Sequence, residues 1–255
     1  MEEVFLLHRR ILIIGPVDSG KSFLFRKIIE LWKKRGYRFT AIDTDVGQST
    51  LGLPTTITSM NREGKQFFFY GFSSPRAHPF RFLSGVSRMN KQGRIVVDTT
   101  GYVEFPHGLE IKKAKIEILQ PDLVVAFPSS DHSWEEFIAS ISTKVVKMER
   151  DPNVKRRGPK ERAIHRIRKF QEFFKKTRET VIPRASLFPV KLGITPEKGA
   201  LLSFRKANKD LFLGYIKEVG NEWVSAVIPA DREPTSTVLF SSYLFKEPIK
   251  QQTLF

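Results

Sequence analysis

The residues with the clearest chemical meaning form one glycine-bounded loop near the start of the chain. Its sequence is Gly15-Pro16-Val17-Asp18-Ser19-Gly20-Lys21-Ser22, which fits the pattern G-x-x-x-x-G-K-[ST] at every position. Loops of this type point backbone N–H groups at phosphates, aided by the N-terminus of the following helix. We therefore expect this loop and the adjoining Phe23 to bind a nucleoside triphosphate, with Lys21 reaching its β- and γ-phosphates and the Ser22 hydroxyl ligating Mg²⁺.

Two carboxylates follow in the segment Asp43-Thr44-Asp45-Val46-Gly47-Gln48. They come directly after a short apolar run, and acids at the ends of parallel strands face the ligand crevice of such sheets. Two acids one residue apart can divide the work, one holding Mg²⁺ or its water and one accepting a proton from an attacking hydroxyl. A helix-capping aspartate beside a solvated one is the alternative. The nearby phosphate-binding loop favours the functional interpretation.

A third acid, Asp98, follows the apolar run Arg94–Val97. Its position suits a carboxylate that supports Mg²⁺ from behind the direct ligands. The next residues, Thr100 and Gly101, resemble a loop that approaches a γ-phosphate closely. Tyr102 offers a ring for stacking, with a buried core tyrosine as the alternative interpretation.

A dense run of Lys and Arg extends from Lys155 to Lys169. Arg162 and Arg166 are four positions apart and therefore share one face of a helix. Arginines presented together can grip a transferring phosphoryl group and neutralise its developing charge. A solvated helix face, or non-specific contacts with phosphates, is the alternative.

The elements that must position these residues alternate between strand and helix. Apolar runs predict strands, and apolar residues at helical spacing predict helices between them. The predicted strands cover residues 11–14, 38–42, 66–70, 94–97 and 123–127, and the predicted helices cover 22–35, 79–89 and 109–119. This alternation predicts an α/β fold of the P-loop NTPase type, with a mostly parallel sheet flanked by helices on both faces.

The pattern of predicted secondary structure changes in the last third of the chain. Short β segments separated by Gly, Asn and Asp turns follow Pro183. We expect a P-loop domain over residues 1–183, including a basic lid at about 150–176. A small β-rich domain is expected over residues 184–255.

Composition narrows the partners and the compartment. The 255 residues include 43 Lys and Arg against 27 Asp and Glu, a net charge of +16 that favours a polyanionic partner such as nucleic acid, with a merely charge-rich surface as the alternative. The absence of cysteine excludes disulfides, thiolate metal sites and cysteine nucleophiles. With an acidic N-terminus and no apolar run of membrane-spanning length, we expect no membrane association and a cytoplasmic protein, or a nuclear one in a eukaryote.

The order of these motifs resembles that of the polynucleotide 5′-hydroxyl kinases. This family is related to the eukaryotic pre-mRNA cleavage-complex and pre-rRNA-processing kinases and has shorter archaeal and bacterial relatives. The resemblance covers nearly the whole chain. Its segments here are Gly15–Ser22, Asp43–Gln48, Ser73–Pro79, Thr99–Tyr102, Gln120–Val125 and Arg162–Arg166.

The resemblance implies transfer of the γ-phosphate of ATP, with Mg²⁺, to the 5′-hydroxyl of RNA or DNA. It implies that Asp45 is the general base and a water-mediated partner of Mg²⁺. Gln48 would orient the nucleotide or the 5′ end, and Arg162 and Arg166 would close as a lid. The expected substrate-binding set is Asp43, Gln48, Arg76 and the clasp residues Thr100, Gly101 and Tyr102.

Two features depart from the longer relatives. Those relatives carry an N-terminal β domain that helps to hold the adenine base, whereas the phosphate-binding loop here begins at residue 15. We expect that domain to be absent, which leaves the choice between ATP and GTP open. The clasp aromatic is Tyr102, where larger relatives tend to have tryptophan.

Two other functions compete with the kinase. A regulatory P-loop GTPase or ATPase would explain Asp98-Thr99-Thr100-Gly101, which fits the switch pattern D-x-x-G. The nearest match to the guanine-reading N-K-x-D is Asn208-Lys209-Asp210-Leu211, with its acid one place early, which counts against guanine recognition. The second competitor is a non-catalytic ATP-binding scaffold for RNA processing. Loss of Lys21 or Asp45 would indicate it, and both are present.

Overall fold

The computed structural model describes residues 2–151 and 156–245. The chain divides into two compact units between Arg166 and Ile167. Residues 152–155, which include Lys155 and fall in the predicted lid, lie outside the described residues, as do residues 246–255 of the predicted C-terminal domain. None of the helices in the described ranges is long and apolar enough to cross a membrane.

The first unit is built on a seven-stranded sheet. Its strands are β1 (Arg10–Ile14), β2 (Thr40–Thr44), β3 (Thr56–Asn61), β4 (Gly64–Phe69), β5 (Ile95–Thr99), β6 (Leu123–Ala126) and β7 (Val145–Lys147). Their spatial order is β4-β3-β2-β5-β1-β6-β7. The strands from β2 to β7 in this order are parallel, and β3 and β4 form an antiparallel hairpin at one edge. The predicted mostly parallel sheet is confirmed.

Helices cover both faces of this sheet. They are α1 (Glu2–Leu7), α2 (Lys21–Lys34), α3 (Pro79–Met89), α4 (His107–Leu119) and α5 (His132–Ala139). The last helix, α6 (Pro159–Phe173), begins in this unit. On one face, α1 and α2 pack against alternate strand residues such as Ile13 and Ala41. On the other face, the Lys115 side chain of α4 bonds to Thr44, which points away from Ala41 because strand side chains alternate.

Two strands extend further than the sequence predicts. β2 includes Asp43, which pairs with Thr58 of β3 and with Asp98 of β5. A strand with a partner on each side continues its ladder through polar residues, so Asp43 and Asp98 lie inside strands and not after them. β3 escapes the prediction because its sequence, Thr-Ile-Thr-Ser-Met-Asn, contains no continuous apolar run.

The second unit is a six-stranded sheet. Its strands are β8 (Thr177–Pro183), β9 (Leu187–Pro189), β10 (Ala200–Lys206), β11 (Lys209–Val219), β12 (Trp223–Pro229) and β13 (Thr237–Leu244), in the order β8-β12-β11-β10-β13-β9. All neighbours are antiparallel except β13 and β9. One face encloses a core that includes the stacked rings of Phe204 and Phe212, whose centroids are 4.7 Å apart.

The second unit begins earlier than the boundary expected at residue 184. β8 pairs with β12 along its whole length, from Pro183 opposite Trp223 to Thr177 opposite Pro229. The second half of α6 also belongs to this unit, because Phe170 is buried and contacts Tyr243. The basic helix therefore carries Arg162 and Arg166 in the first unit and its aromatic end in the second.

Candidate active site

The glycine-bounded loop connects β1 to α2 at the carboxyl edge of the parallel sheet. Gly20 has φ 104°, a left-handed conformation that L side chains adopt only with strain. Its carbonyl accepts the N–H groups of Phe23 and Leu24, which starts α2 directly after the loop. The earlier N–H groups of the helix start have no helical acceptor, so they can bind the oxygens of a phosphate.

The Lys21 side chain lies across this loop. Its Nζ atom donates to the Pro16 carbonyl at 2.5 Å and to Ser19 Oγ at 3.3 Å. Burial lowers the pKa of Lys21, while the carboxylates of Asp98, Asp45 and Asp18 act in the opposite direction. The loop thus holds the Lys21 ammonium group through two oxygen acceptors. Phosphate oxygens can take the place of these acceptors when a nucleotide binds.

Asp43 organises the loop that follows β2. It is fully buried, and its Oδ1 accepts the N–H of Asp45 at 2.9 Å. Its Oδ2 accepts the Ser49 hydroxyl and the N–H groups of Thr50 and Leu51, at 2.5–2.8 Å. Burial raises the pKa of Asp43, and these hydrogen bonds oppose the rise. In the structure the buried carboxylate of Asp43 holds the following loop, and its contact with substrate stays a prediction.

Asp45 is the less buried acid of this segment. It is half-buried, and its Oδ1 accepts the N–H groups of Gly47 and Gln48, both at 2.9 Å. The hydrogen bonds found among the described residues do not reach its Oδ2, which leaves that oxygen for a ligand. Gln48 donates from Nε2 to the Gly47 carbonyl at 2.9 Å and to the Arg162 carbonyl at 3.2 Å. Gln48 therefore connects the acidic loop to α6.

Asp98 presents a buried oxygen beside Ser22. Its Oδ1 accepts the Thr99 N–H at 2.9 Å, and its Oδ2 is buried with no hydrogen-bond partner within the described residues. Burial, together with the Asp43 carboxylate, raises the pKa of Asp98 to about 7, while Ser22 and Lys21 oppose the change. An orphaned carboxylate oxygen in this position fits a cation.

The donor set fits Mg²⁺ in particular. Ser22, Asp45 and Asp98 supply only oxygen, the ligand that this ion prefers. Across residues 2–151 and 156–245, no group of three or more His, Asp or Glu side chains forms a complete metal cage. Mg²⁺ is commonly held by one or two carboxylates together with substrate phosphates and water, and the site offers that arrangement.

The predicted clasp lies directly against the phosphate-binding loop. A Cβ atom at Gly101 would come within 2.6 Å of the Cα and N atoms of Val17, so no larger residue fits. Thr100 is buried and Tyr102 is half-buried. Gly101 thus lies directly against the phosphate-binding loop.

Arg76 lies on the surface of the protein. Its side chain is 71% exposed, and its Nη1 lies 4.0 Å from Glu104 Oε2. The neighbouring segment borders the acidic loop, because a Cβ atom at Gly47 would lie 3.0 Å from the Ser73 carbonyl oxygen. Arg76 is therefore at the rim of the site.

The start of α6 is anchored on the phosphate-binding loop. Asp18 Oδ2 accepts the Arg157 N–H at 3.0 Å and pairs with Arg162 Nη1 at 3.2 Å. The same Nη1 donates to the Arg157 carbonyl at 2.5 Å. Arg162 is thereby brought to the site, and Arg166 is half-buried one turn further along the helix.

Two residues of the site escape the sequence-based prediction. Lys112 and Lys115 of α4 are fully buried, and both donate to threonines at the ends of the central strands. Burial lowers the pKa of Lys115 to about 7 and also lowers that of Lys112. The signal that could have found them is their position in the helical stripe with Leu109 and Leu119, where a lysine is unusual.

Comparisons with known proteins agree with this architecture. The family model described as the mRNA cleavage and polyadenylation factor CLP1 P-loop matches residues 15–176. A polyribonucleotide 5′-hydroxyl-kinase of Pyrococcus furiosus is 27% identical over 180 residues, which are 65% of this chain and 50% of that protein. One of Methanocaldococcus jannaschii is 28% identical over 190 residues, covering 66% and 51%. The chain thus spans about half the length of the curated relatives it matches.

The fold is also found in a solved structure. Clp1p in its wild-type complex with Pcf11p matches 94% of this chain with a TM-score of 0.76 and 15% sequence identity, over 75% of its own length. At that identity the likeness concerns the fold alone. The family model, in contrast, covers the phosphate-binding loop, the acidic segment, the clasp and the basic helix together. The chain therefore belongs to the CLP1 P-loop family.

Proposed function

We propose that this chain transfers the γ-phosphate of a nucleoside triphosphate, with ATP as the expected donor, to the 5′-hydroxyl of RNA or DNA. The observation that carries the proposal is the open Oδ2 of Asp45 at the edge of a phosphate-binding loop. Nucleotide binding alone needs no proton acceptor at that position, whereas transfer to a hydroxyl does. The names of the archaeal relatives, polyribonucleotide 5′-hydroxyl-kinases, support the same reaction.

Each residue of the site has a separate role in the proposed reaction. Asp45 accepts the proton as the 5′-oxygen forms its bond to the γ-phosphorus, and the bond from that phosphorus to the β–γ bridging oxygen breaks. The products are a 5′-phosphorylated strand and a nucleoside diphosphate. Lys21 and Arg162 stabilise the charge on the phosphoryl oxygens, and Gln48 holds the acidic loop against α6. Ser22 would hold Mg²⁺, with Asp45 supporting the ion through water and Asp98 from behind the direct ligands, and the ion would supply further neutralisation of that charge.

A direct assay tests the proposal. The protein is mixed with γ-labelled ATP, Mg²⁺ and 5′-hydroxyl RNA or DNA oligonucleotides, and label is expected on the 5′ end of the oligonucleotide. Because the chain carries a net charge of +16, its affinity for the oligonucleotide should fall with salt, with a log–log slope of about −0.7 per neutralised phosphate of a single strand. Label found only on mononucleosides or on the protein, or an affinity insensitive to salt, would contradict a polynucleotide substrate.

The contacts of Asp210 count against the GTPase alternative. Asp210, the acid of the imperfect N-K-x-D match, lies at the start of β11 in the second unit. It accepts the Ser203 hydroxyl at 2.8 Å and pairs with Arg205 at 3.1 Å. These contacts are internal to the second sheet, which argues against a role for Asp210 in reading guanine. The proposed substrate is compatible with the expected cytoplasmic or nuclear compartment, where nucleic-acid ends are processed.

A cleft beside the phosphate-binding loop suits the base of the nucleotide. It has a volume of about 190 Å³ and is bordered by Gly20, so it continues directly from the phosphate cradle. Its walls are mostly apolar, and its carboxylates come from Glu2, Glu149 and Asp151. Carboxylates accept hydrogen bonds from amino groups. We infer that bases with an exocyclic amino group, as in ATP, GTP and CTP, bind better here than uracil.

The substitution Phe23→Ala tests this assignment. Phe23 lines the cleft, and the centroid of its ring lies 4.3 Å from Lys27 Nζ. Loss of the ring is expected to weaken ATP binding by about tenfold, since base–aromatic stacking contributes about 1–3 kcal/mol. Binding of inorganic tripolyphosphate, which has no base, should be unchanged. The matched control is Phe80→Ala, at an exposed position of α3. Equal losses for ATP and tripolyphosphate would show that Phe23 acts through the loop and not on the base.

A further inference from the structure

Two buried lysines lie beneath the acidic residues of the site. Lys112 and Lys115 are both 0% exposed, although lysine is almost never fully buried without a partner. Among the ion pairs of the described residues, neither one reaches a carboxylate within 4.0 Å. Their partners are instead hydroxyl and carbonyl oxygens at the ends of two parallel strands, β2 and β5. An apolar residue would fill either position at lower cost, so the packing of α4 alone does not account for them.

Lys115 connects two of these strands. Its Nζ donates to Thr44 Oγ1 at 2.6 Å, and Thr44 Oγ1 donates in turn to the carbonyl of Asp98 at 2.7 Å. The same Nζ lies 4.7 Å from the centre of the Phe82 ring. Thr44 stands between Asp43 and Asp45. The chain of bonds thus ties the residue beside Asp45 to the backbone of Asp98.

Lys112 makes a similar connection on the other side of β5. Its Nζ donates to Thr99 Oγ1 at 3.1 Å and to the Thr100 carbonyl at 2.5 Å. Thr99 Oγ1 donates to the carbonyl of Ile13 in β1 at 2.8 Å. The next residue of the clasp is Gly101, which touches Val17. Lys112 thus fixes the segment that reaches the phosphate-binding loop.

We propose that Lys112 and Lys115 are positioning residues, which hold the ends of β1, β2 and β5 so that Asp45, Asp98 and the Thr100–Gly101 clasp face the bound triphosphate. The catalytic part of this proposal depends on the proposed kinase function, because it concerns the geometry of the same site. Displacement of a reacting group by about 1 Å costs about 10²-fold in rate. Positioning of this kind therefore has a large kinetic effect without any contact with substrate.

The test compares Lys112→Met and Lys115→Met with a matched control, Lys113→Met. Lys113 is exposed on the same helix, so its replacement makes the same change of charge without touching the strand ends. We expect kcat to fall by about 10²-fold in the two buried variants and by less than about twofold in the control. The Kd for ATP should change by less than about threefold in Lys115→Met and Lys113→Met, whereas Lys112→Met should also weaken ATP binding, because the segment that Lys112 holds contacts Val17.

Hydrogen exchange gives a readout that does not depend on kinase activity. In Lys112→Met, amide exchange of residues 99–103 should accelerate by about tenfold or more, while residues 120–127 keep the wild-type rate. If the wild-type chain phosphorylates no oligonucleotide, the kinase proposal fails and this measurement still decides the role of Lys112. Unchanged exchange together with kcat within about threefold of wild type would overturn the positioning role.

Two substitutions that leave the charge of the protein unchanged keep the proposal testable if a methionine variant does not fold. Thr44→Val and Thr99→Val remove the acceptor hydroxyls and keep the lysines. Each should lower kcat by about tenfold or more, and Thr44→Val should retain the Kd for ATP. Full activity in both valine variants would show that the hydrogen bonds do not position the site.

Discussion

Replacement of Asp45 by asparagine is expected to lower kcat for transfer to a 5′-hydroxyl by about 10²–10⁴-fold, the usual contribution of a positioned proton acceptor. The amide keeps the size of the side chain, and its oxygen can still accept the N–H groups of Gly47 and Gln48. The loop should therefore keep its shape while the proton acceptor is lost. The Kd for ATP should change by less than about threefold, because the phosphate-binding loop is untouched. Single-turnover transfer of label to an oligonucleotide, combined with direct measurement of ATP binding, gives both quantities.

Two controls separate the roles of neighbouring acids. Asp231→Asn, at an exposed position of the second unit, should leave kcat and the unfolding free energy unchanged. Asp43→Asn should instead destabilise the chain, since an amide cannot accept all the bonds that Asp43 receives from Asp45, Ser49, Thr50 and Leu51. A kcat for Asp45→Asn within about threefold of wild type would exclude Asp45 as the base.

Replacement of Arg162 by glutamine is expected to lower kcat by about 10³-fold, the lower end of the range for an arginine that stabilises a transferring phosphoryl group. The guanidinium is already held at the phosphate-binding loop by Asp18 and by the Arg157 carbonyl. Its charge is permanent, and its planar fork can contact two phosphoryl oxygens together. Arg162→Lys keeps the charge without the fork, so we expect its kcat to lie between wild type and Arg162→Gln. Steady-state transfer at saturating ATP measures the series.

Arg168→Gln provides the matched control for this series. Arg168 is exposed on the same helix and carries the same charge. Its replacement should raise KM for the oligonucleotide at low salt and leave kcat unchanged, because exposed cations act mainly through long-range attraction. Equal kcat losses in Arg162→Gln and Arg168→Gln would show that α6 contributes only its overall charge.

The parts of the site that the sequence predicts well are contiguous in the chain. The phosphate-binding loop contains its glycines, cation and hydroxyl between Gly15 and Ser22, so its pattern alone defines it. The parallel core is predictable for a similar reason, since strands buried on both faces are continuous apolar runs. The sequence therefore indicates both the sheet and the edge at which the ligand binds.

The remaining features depend on contacts between distant segments. Asp43 and Asp45 have the same side chain, and the hydrogen bonds to residues 49–51 distinguish the acid that organises the loop from the one that keeps an unbonded oxygen among the described residues. Lys112 and Lys115 resemble solvated helix residues until the helix is placed on the sheet. The predicted boundary at residue 184 lies after the division between Arg166 and Ile167 because the pairing of β8 with β12 joins segments that are far apart in sequence.

The contact between Gly101 and Val17 has a consequence for the order of events in the proposed reaction. Because only a hydrogen atom separates the clasp backbone from the phosphate-binding loop, the two segments cannot shift independently. A triphosphate that settles the loop around Val17 also settles the clasp that receives the 5′ end. The two substrates should therefore bind with synergy, each tightening the site for the other, and the coupling acts equally in both directions.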